Sequence, residues 1–433
     1  MIDIKIVRDN PDLVKETAKN KGVEVDIDKL LKLDEDRRSL RSEIDELNRK
    51  RNELSKSPAG GKPDEISIEK GKELKKEISK KEEGINEVES EYKDILWQVP
   101  NIPYEDVPVG QDDLANKILR KVGDKTEFDF GPREHWELGE ELDIIDNETA
   151  SAVAGTRFAY LKGDAALLEF ALIQYALSVL TDEKKLSKII KDAKLDVSSK
   201  PFIPVIPPIF IKEDVYNKMG RLEPRDDRYH MEGTDQWLIG SAEHTMGPMH
   251  MDEVFNKKDL PIRYAGFSTA LRQEAGTYGK DTKGIFRLHQ FEKVEMESFS
   301  TPEQGIAEHE LMIAIQEYLM QSLEIPYQVV LKCTIDMGTP NARGVDIESW
   351  MPGQNKYRET HTADYMTDYQ ARRLGTKYRQ GGKSEFVHMN DATAFAGRTI
   401  VAIMENYQTK EGTIKIPKVL HPYMFGVKEI KKK

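Results

Sequence analysis

Leu271-Arg272-Gln273-Glu274-Ala275-Gly276 and Arg287-Leu288-His289-Gln290-Phe291-Glu292-Lys293-Val294-Glu295 decide the fold of this chain. They read as two strands joined by a loop rich in glycine and charge. Side chains on a strand alternate, so Arg272 and Glu274 share one face of the first strand. Arg287, His289, Phe291, Lys293 and Glu295 share a face of the second, while Phe286, Leu288, Val294 and Met296 point the other way. One face is apolar and suits a core; the other carries alternating charge and a single aromatic ring. A solvated amphipathic hairpin is the plain alternative. A pocket holding a polyanion together with a flat ring explains more of the pattern.

Working outward, the 433 residues are enough for two or three domains with a sizeable core. The net charge of −12 argues against nucleic-acid binding by bulk charge alone, so a nucleic-acid partner must be found in local basic patches. Cys333 is the single cysteine, which excludes a disulfide framework and any multi-cysteine zinc site; no zinc is expected. No apolar run approaches membrane-spanning length, which makes the cytoplasm the expected location, with no membrane partner.

From about residue 28 to 99, Lys and Glu dominate and the apolar residues become sparse but regular. Leu33, Leu40, Ile44, Leu47 and Leu54 form one narrow seam, with Arg37 and Arg51 at missing positions. Leu74, Ile78, Ile85, Val88, Tyr92, Ile95 and Val99 form a second after the breaker Ser57-Pro58-Ala59-Gly60-Gly61-Lys62-Pro63. Two heptad-like seams around a Pro/Gly break predict an antiparallel helical hairpin, about 42 Å long for roughly 28 residues per helix. Gly71 and Gly84 weaken its second helix locally. Such an arm serves equally well as a dimerisation or spacer device or as a phosphate-tracking surface. The first ~27 residues read as a helical cap, and the Pro/Gly/Asp-rich run after Pro100 as a linker. The expected division is an N-terminal helical domain over 1–112 and a second domain over 113–433.

In the second domain, helical stretches (Ala165–Leu180, Pro302–Leu323) alternate with β-rich ones (Phe202–Ile211, Ile285–Phe299). Hairpin-like connections favour an antiparallel sheet flanked by helices, an α+β fold. The chain has no Gly-x-x-x-x-Gly-Lys-Ser/Thr loop and no Gly-x-Gly-x-x-Gly, so arginine side chains must grip any bound phosphates.

Glu274-Ala275-Gly276, Gly279-Lys280-Asp281-Thr282-Lys283-Gly284 and His289 to Glu295 resemble, in order, the second signature motif of the seryl-tRNA synthetases, a branch of the class II aminoacyl-tRNA synthetases. Gly397 to Gln408 is similar to the third motif and Pro207-Pro208 to the first, which forms the dimer interface in that family. The resemblance runs through nearly the whole chain. It implies a homodimer with a class II catalytic domain and an N-terminal coiled-coil arm. The implied activity is ATP-dependent conversion of L-serine to seryl-adenylate, then transfer to the 3′-terminal ribose of serine tRNA. The tRNA would be held at its long variable arm and its acceptor end; selenocysteine tRNA is an open further acceptor. Family relatives that load carrier proteins lack the arm, and a dead paralogue would not need these motif residues.

By the same resemblance, Arg272 would grip the α-phosphate and the serine carboxylate, Phe291 would stack on adenine, and Gln273, Glu274 and Arg287 would complete that wall. Arg398 would meet the γ-phosphate; Glu348, Glu359, Thr360, His361 and Thr362 would surround Mg²⁺-ATP, with Glu359 and Thr362 as magnesium ligands. Serine would fall to Ser241, Ala242, Glu243, Arg272 and Glu295, with Arg272, Glu295 and Arg398 carrying the catalysis. The chain departs from the family at Asn390-Asp391-Ala392-Thr393, where Ala392 stands at the usual hydroxyl position. Either Thr393 enters the serine pocket through a register shift, or Asn390 serves without it. His361 to Tyr365 also replace the family's usual Ser/Cys-rich run. His244 and His250 lack the neighbours of a metal site.

Overall fold

The computed structural model describes residues 1–54, 65–275, 279 and 281–432, so the breaker at 57–63, Gly276 and Lys280 lie outside the described residues. The chain divides into two compact units, Met1–Ile102 and Pro103–Lys433.

In the first unit, two short helices (Ile4–Asp9, Pro11–Asn20) precede two long ones, α1 (Ile27–Leu54) and α2 (Glu65–Gln98). Arg37–Tyr92, Arg41–Glu89 and Lys81–Glu43 contacts run in opposite directions along α1 and α2, so the pair is antiparallel. Leu33, Leu47, Ile78, Ile85, Tyr92 and Val99 of the expected seams are buried, and α2 runs unbroken through Gly71 and Gly84. Leu96 is buried as well, while its neighbour Ile95 is only half-buried. Arg37 fills its gap in the seam by laying its guanidinium 4.2 Å over the Tyr92 ring and bonding the buried Asp34. Asp34 also accepts from Arg8 and Arg38; burial works to raise its carboxyl, but the Arg8 and Arg37 guanidiniums hold it below the usual range.

The second unit is built on an eight-stranded sheet: β1 (Lys117–Val122), β2 (Ile203–Val205), β3 (Ile262–Leu271), β4 (Gln290–Ser300), β5 (Tyr327–Leu331), β6 (Arg343–Met351), β7 (Lys356–Thr367) and β8 (His388–Ala396). The spatial order is β1-β5-β6-β7-β8-β4-β3-β2, antiparallel throughout except for β2 against β3. Helices α3 (Asp164–Leu180), α4 (Gly305–Ser322) and α5 (Arg398–Asn406) pack against it. Val294, Met296, Val345, Ile347, Ala363 and Ala392 join their side chains in one apolar core. The alternating residues Lys293, Glu295, Asp346, Glu348, Asp364 and Asp391 line a cavity instead. The sheet is therefore α+β and two-faced, apolar under the helices and charged opposite. Arg263 of β3, fully buried, ties the sheet to α4 through a bidentate pair with Glu308 at 2.7 and 2.6 Å.

The run after Pro103 packs with the sheet rather than hanging free as a linker. Tyr104 N–H donates to Ala342 O (2.7 Å) and Gly110 N–H to Thr334 Oγ1 (3.2 Å), which places the division earlier than the composition change at 112 implies.

The second strand begins at Gln290, so the alternation expected from Arg287 onward does not apply to residues 286–289. Phe286 consequently lines the cavity while still joining the apolar core, with Arg358 3.7 Å and Arg398 4.8 Å from its ring centroid. His289 leaves that face: its Nδ1 meets Arg272 O at 2.9 Å.

Candidate active site

The charged face of the sheet forms the floor of a cavity of about 680 Å³. Glu243, Arg272, Arg287, Glu295, Glu348, Glu359, Thr362 and Arg398 line it. Glu274, Phe291, Thr360 and Thr393 line a smaller adjoining cavity of about 80 Å³, which shares Arg272, Glu359 and Arg398 with the first.

Arg272 leaves the end of β3, where its N–H still pairs with His289 O at 2.9 Å. Its Nε donates to Gly240 O (3.0 Å), and the guanidinium carbon lies 5.4 Å from the Phe291 ring centroid. The other donors of its fork stay available to the cavity. Glu274, in the left-handed region at φ 52°, turns back to accept from Arg287 at 2.6 Å. Arg398 stands at the first turn of α5, and its Nη1 lies 3.0 Å from Glu359 Oε1.

The position of Glu359 depends on a bulge. Glu348 pairs with Glu359 but Ile347 pairs with His361, so Thr360 is an extra residue in β7. The shift sets Glu359 and Thr362 on the same face although three positions separate them. Without it, Thr362 would join the core face. The shift also redirects two neighbouring side chains. Thr360 Oγ1 bonds Ile347 O and Ser349 Oγ, and the buried His361 turns its Nδ1 to Thr360 Oγ1 at 3.0 Å, off the cavity wall. Burial pushes His361 down to about 4, so it is neutral at pH 7.

On β8, Asn390 and Thr393 lie on opposite faces. Asp391 pairs with Glu297 and Thr393 with Glu295, facing the cavities; Asn390 and Ala392 alternate to the other side. Asn390 is fully buried and its Nδ2 donates to Gly305 O at 3.2 Å in α4, so it lies away from the cavity. Ser241 and Ala242 are also buried outside the lining. Ser241 Oγ accepts from Lys293 Nζ at 2.8 Å, and Ala242 joins a satellite core with Met246. Gln273 is exposed and bonds Arg228 O at 2.7 Å, off the cavity as well.

The electrostatics divide the carboxylates. For Glu243, burial alone would raise the carboxyl, but neighbouring positive charge, Lys293 foremost, holds it well below the usual range. It is ionised. Burial pushes Glu295 well above the usual range, against Lys293 at 2.6 Å and with added repulsion from Glu243 and Asp391. The same wall thus pushes its two carboxyl groups in opposite directions, Glu243 below and Glu295 above the usual range. Glu359 is held below the usual range by Arg398, Lys332 and Arg272, against desolvation. His244 is held inside the fold: Gly240 N–H donates to its Nδ1 (3.2 Å), Tyr216 OH lies 2.7 Å from the same atom, and burial pushes the ring well below the usual imidazole range. His250 is tied to Glu253 and Tyr264.

Sequence reasoning missed Arg221, Lys332, Asp364, Asp391 and Phe286, all of which line the cavity. Only Asp364 and Asp391 left a trace, as acids where the family pattern is otherwise.

Comparison with known proteins agrees with this arrangement. Residues 1–103 match the family described as the seryl-tRNA synthetase N-terminal domain, and 228–407 the tRNA synthetase class II core domain (G, H, P, S and T). The chain is 40% identical over 441 residues to the serine–tRNA ligase of Nitrosopumilus maritimus, covering 99% of this chain and 100% of that one. It is 40% identical over 464 residues to that of Thermococcus onnurineus, covering 99% and 97%. The crystal structure of seryl-tRNA synthetase from Pyrococcus horikoshii complexed with ATP superposes with a TM-score of 0.89 at 38% identity, over 100% of both chains. Cytoplasmic serine–tRNA ligase from Naegleria fowleri in complex with AMP gives 0.83 at 32%, over 98% and 96%. With full-length likeness in sequence and in fold, the chain belongs to the seryl-tRNA synthetases, the class II serine–tRNA ligases.

Proposed function

We propose that the cavity activates L-serine with ATP through the residues gathered on its walls. A serine carboxylate oxygen attacks the α-phosphorus; the bond from that phosphorus to the bridging oxygen breaks, and pyrophosphate leaves. A ribose hydroxyl at the 3′ end of serine tRNA then attacks the acyl carbon and AMP departs. The chemistry asks the protein for positioning and charge stabilisation rather than covalent work. Arg272 grips the α-phosphate and the carboxylate with its fork, and Arg398 with the first turn of α5 takes the distal phosphates. Ionised Glu243 holds the serine ammonium, and Glu295, with Thr393 as its cross-strand neighbour, takes the hydroxyl. Phe291 and Phe286 offer the rings against which a purine can lie.

Magnesium would arrive with ATP. Carboxylate and hydroxyl oxygens, with no nitrogen or sulfur among them, suit that ion at Glu359 and Thr362. No group of three His, Cys, Asp or Glu side chains among the described residues is arranged to hold a metal alone, so phosphate oxygens would complete the ligand set. Bound there, magnesium would neutralise charge on the departing pyrophosphate.

A homodimer fits the surface: Ile203 on the edge strand β2, Ile206 and Phe210 are exposed apolar side chains beside Pro207-Pro208. No single helix among the described residues is long and apolar enough to cross a membrane, and the Naegleria relative is cytoplasmic, the location proposed here too.

The convergence of Arg272, Arg398, Glu243, Glu295 and Glu359 on one space carries the reading. Serine-dependent ATP–pyrophosphate exchange tests the first step, and charging of serine tRNA the second. Deleting Ser39–Glu83 is expected to spare exchange and cripple charging. Charging unchanged by the deletion would refute tRNA binding by the arm, and absence of exchange in the intact protein would refute the activation chemistry.

A further inference from the structure

Across the cavity floor runs a chain of buried charges that none of the roles above uses. Arg221 lies 3.0 Å from Asp391 and 3.9 Å from Asp364, which face each other across β7 and β8. Lys332, just past the end of β5, lies 3.1 Å from Asp364 Oδ1 and 3.3 Å from Asp346 Oδ1, and its Nζ donates to Thr362 Oγ1 at 2.8 Å. Three oxygens from two strands surround one ammonium. That is the donor set of a hard divalent cation, carboxylates plus a hydroxyl, with an amine nitrogen at its centre.

The backbone is shaped for this ammonium. Gly344 of β6 pairs with Asp364, and a Cβ there would collide with Lys332 Cε and come within 2.9 Å of Asp364 Oδ1. Any other residue at 344 would force the lysine tail to shift.

We propose that Lys332 is a resident cation of the site: its ammonium stands where a divalent ion would otherwise bridge Asp346 and Asp364, and it positions the Thr362 hydroxyl. It lets opposed acids share a buried wall without a second metal, and it leaves the ion that accompanies ATP as the only divalent cation this wall takes. Lys332 touches no reacting atom in this scheme and is a positioning residue. Its link to nucleotide binding rests on the reading of Glu359 and Thr362 as the phosphate end, whereas its cation role does not.

The test uses full-length protein without nucleotide and Mn²⁺ alone as the probe, with bound metal read by electron paramagnetic resonance. Lys332→Ala is expected to bind one equivalent of Mn²⁺ more than the parent, and Lys332→Ala/Asp364→Asn to lose it again. Thermal melting of Lys332→Ala is expected to fall and to recover when Mn²⁺ is added, so a poorly folding variant still decides the matter. No additional equivalent, or a melt that Mn²⁺ does not restore, overturns the proposal. In pyrophosphate exchange, Lys332→Ala is expected to raise the KM for ATP by roughly tenfold or more, the loss of about one charge-assisted contact, with little change in the KM for serine. A variant that gains the Mn²⁺ site yet keeps the parental KM for ATP upholds the resident cation and refutes the phosphate-end reading instead.

Discussion

Replacing Arg272 by alanine separates chemistry from folding. In the structure this side chain spends one hydrogen bond on the protein, Nε to Gly240 O at 3.0 Å, together with its approach to the Phe291 ring. Losing one such bond costs about 1 kcal/mol, a fall of about 1–2 °C in melting temperature for a unit this large. The donors left over would meet charge that grows on the α-phosphate as the carboxylate attacks. Two charge-assisted bonds at about 1.5–3 kcal/mol each amount to about 3–6 kcal/mol, or roughly 10²- to 10⁴-fold in rate. Serine-dependent ATP–pyrophosphate exchange reads that loss, while a filter-binding assay on serine tRNA should show affinity nearly intact. Exchange within about tenfold of the parent would refute the reasoning, since no transition-state contact of this kind is worth so little. So would a melting temperature lowered far beyond the figure above, because the effect would then be structural.

Glu295→Ala removes the carboxyl proposed to meet the serine hydroxyl. The ratio of kcat/KM for serine over alanine is expected to fall by roughly 5- to 150-fold, from about 1–3 kcal/mol of lost discrimination; an unchanged ratio would reject that role. Glu169, lining an apolar groove beside Glu292, is raised from 4.5 to about 7, first by burial and then by Glu292. Its folded form therefore holds a proton that the unfolded chain releases, so the native state loses stability as pH climbs from 4.5 to about 7 and recovers none above it. Glu169→Gln should be about 1–3 kcal/mol more stable than the parent at pH 8 and equal to it at pH 4, by denaturant melts; equal stability at both pH values would contradict the shift.

Much of this was legible beforehand because it rests on periodicity. The heptad seams predicted α1 and α2, and the alternation from Lys293 to Met296 predicted a strand with one charged face, as β4 has. Periodicity fails where the chain leaves a regular strand. His289 changed sides because β4 starts at Gln290, Phe286 borders both the core and the cavity, and His361 moved off the wall because of an extra residue at Thr360. Thr393 rather than Asn390 faces inward because pairing of β8 with β4 fixes which residues share the pleat, a fact held by the partner strand and not by residues 390–393. Arg221 sits in an irregular segment after a short helix, and Lys332 just beyond a strand end; neither position announces its direction. Pairs of distant residues, such as Lys332 with Gly344, carry no signal until the fold brings them together.

The supernumerary Thr360 acts as a half-period phase shift in β7. Upstream and downstream of it the same parity of residue number points in opposite directions. A substitution in residues 357–361 leaves the pairing register as it is, but gaining or losing a single residue there would rotate everything on one side of it by a pleat. Asp364 would then trade places with apolar Ala363, and the whole electrostatic pattern of the wall would invert at once. Chain length in this short segment is thus constrained along with the chemical identity of Glu359.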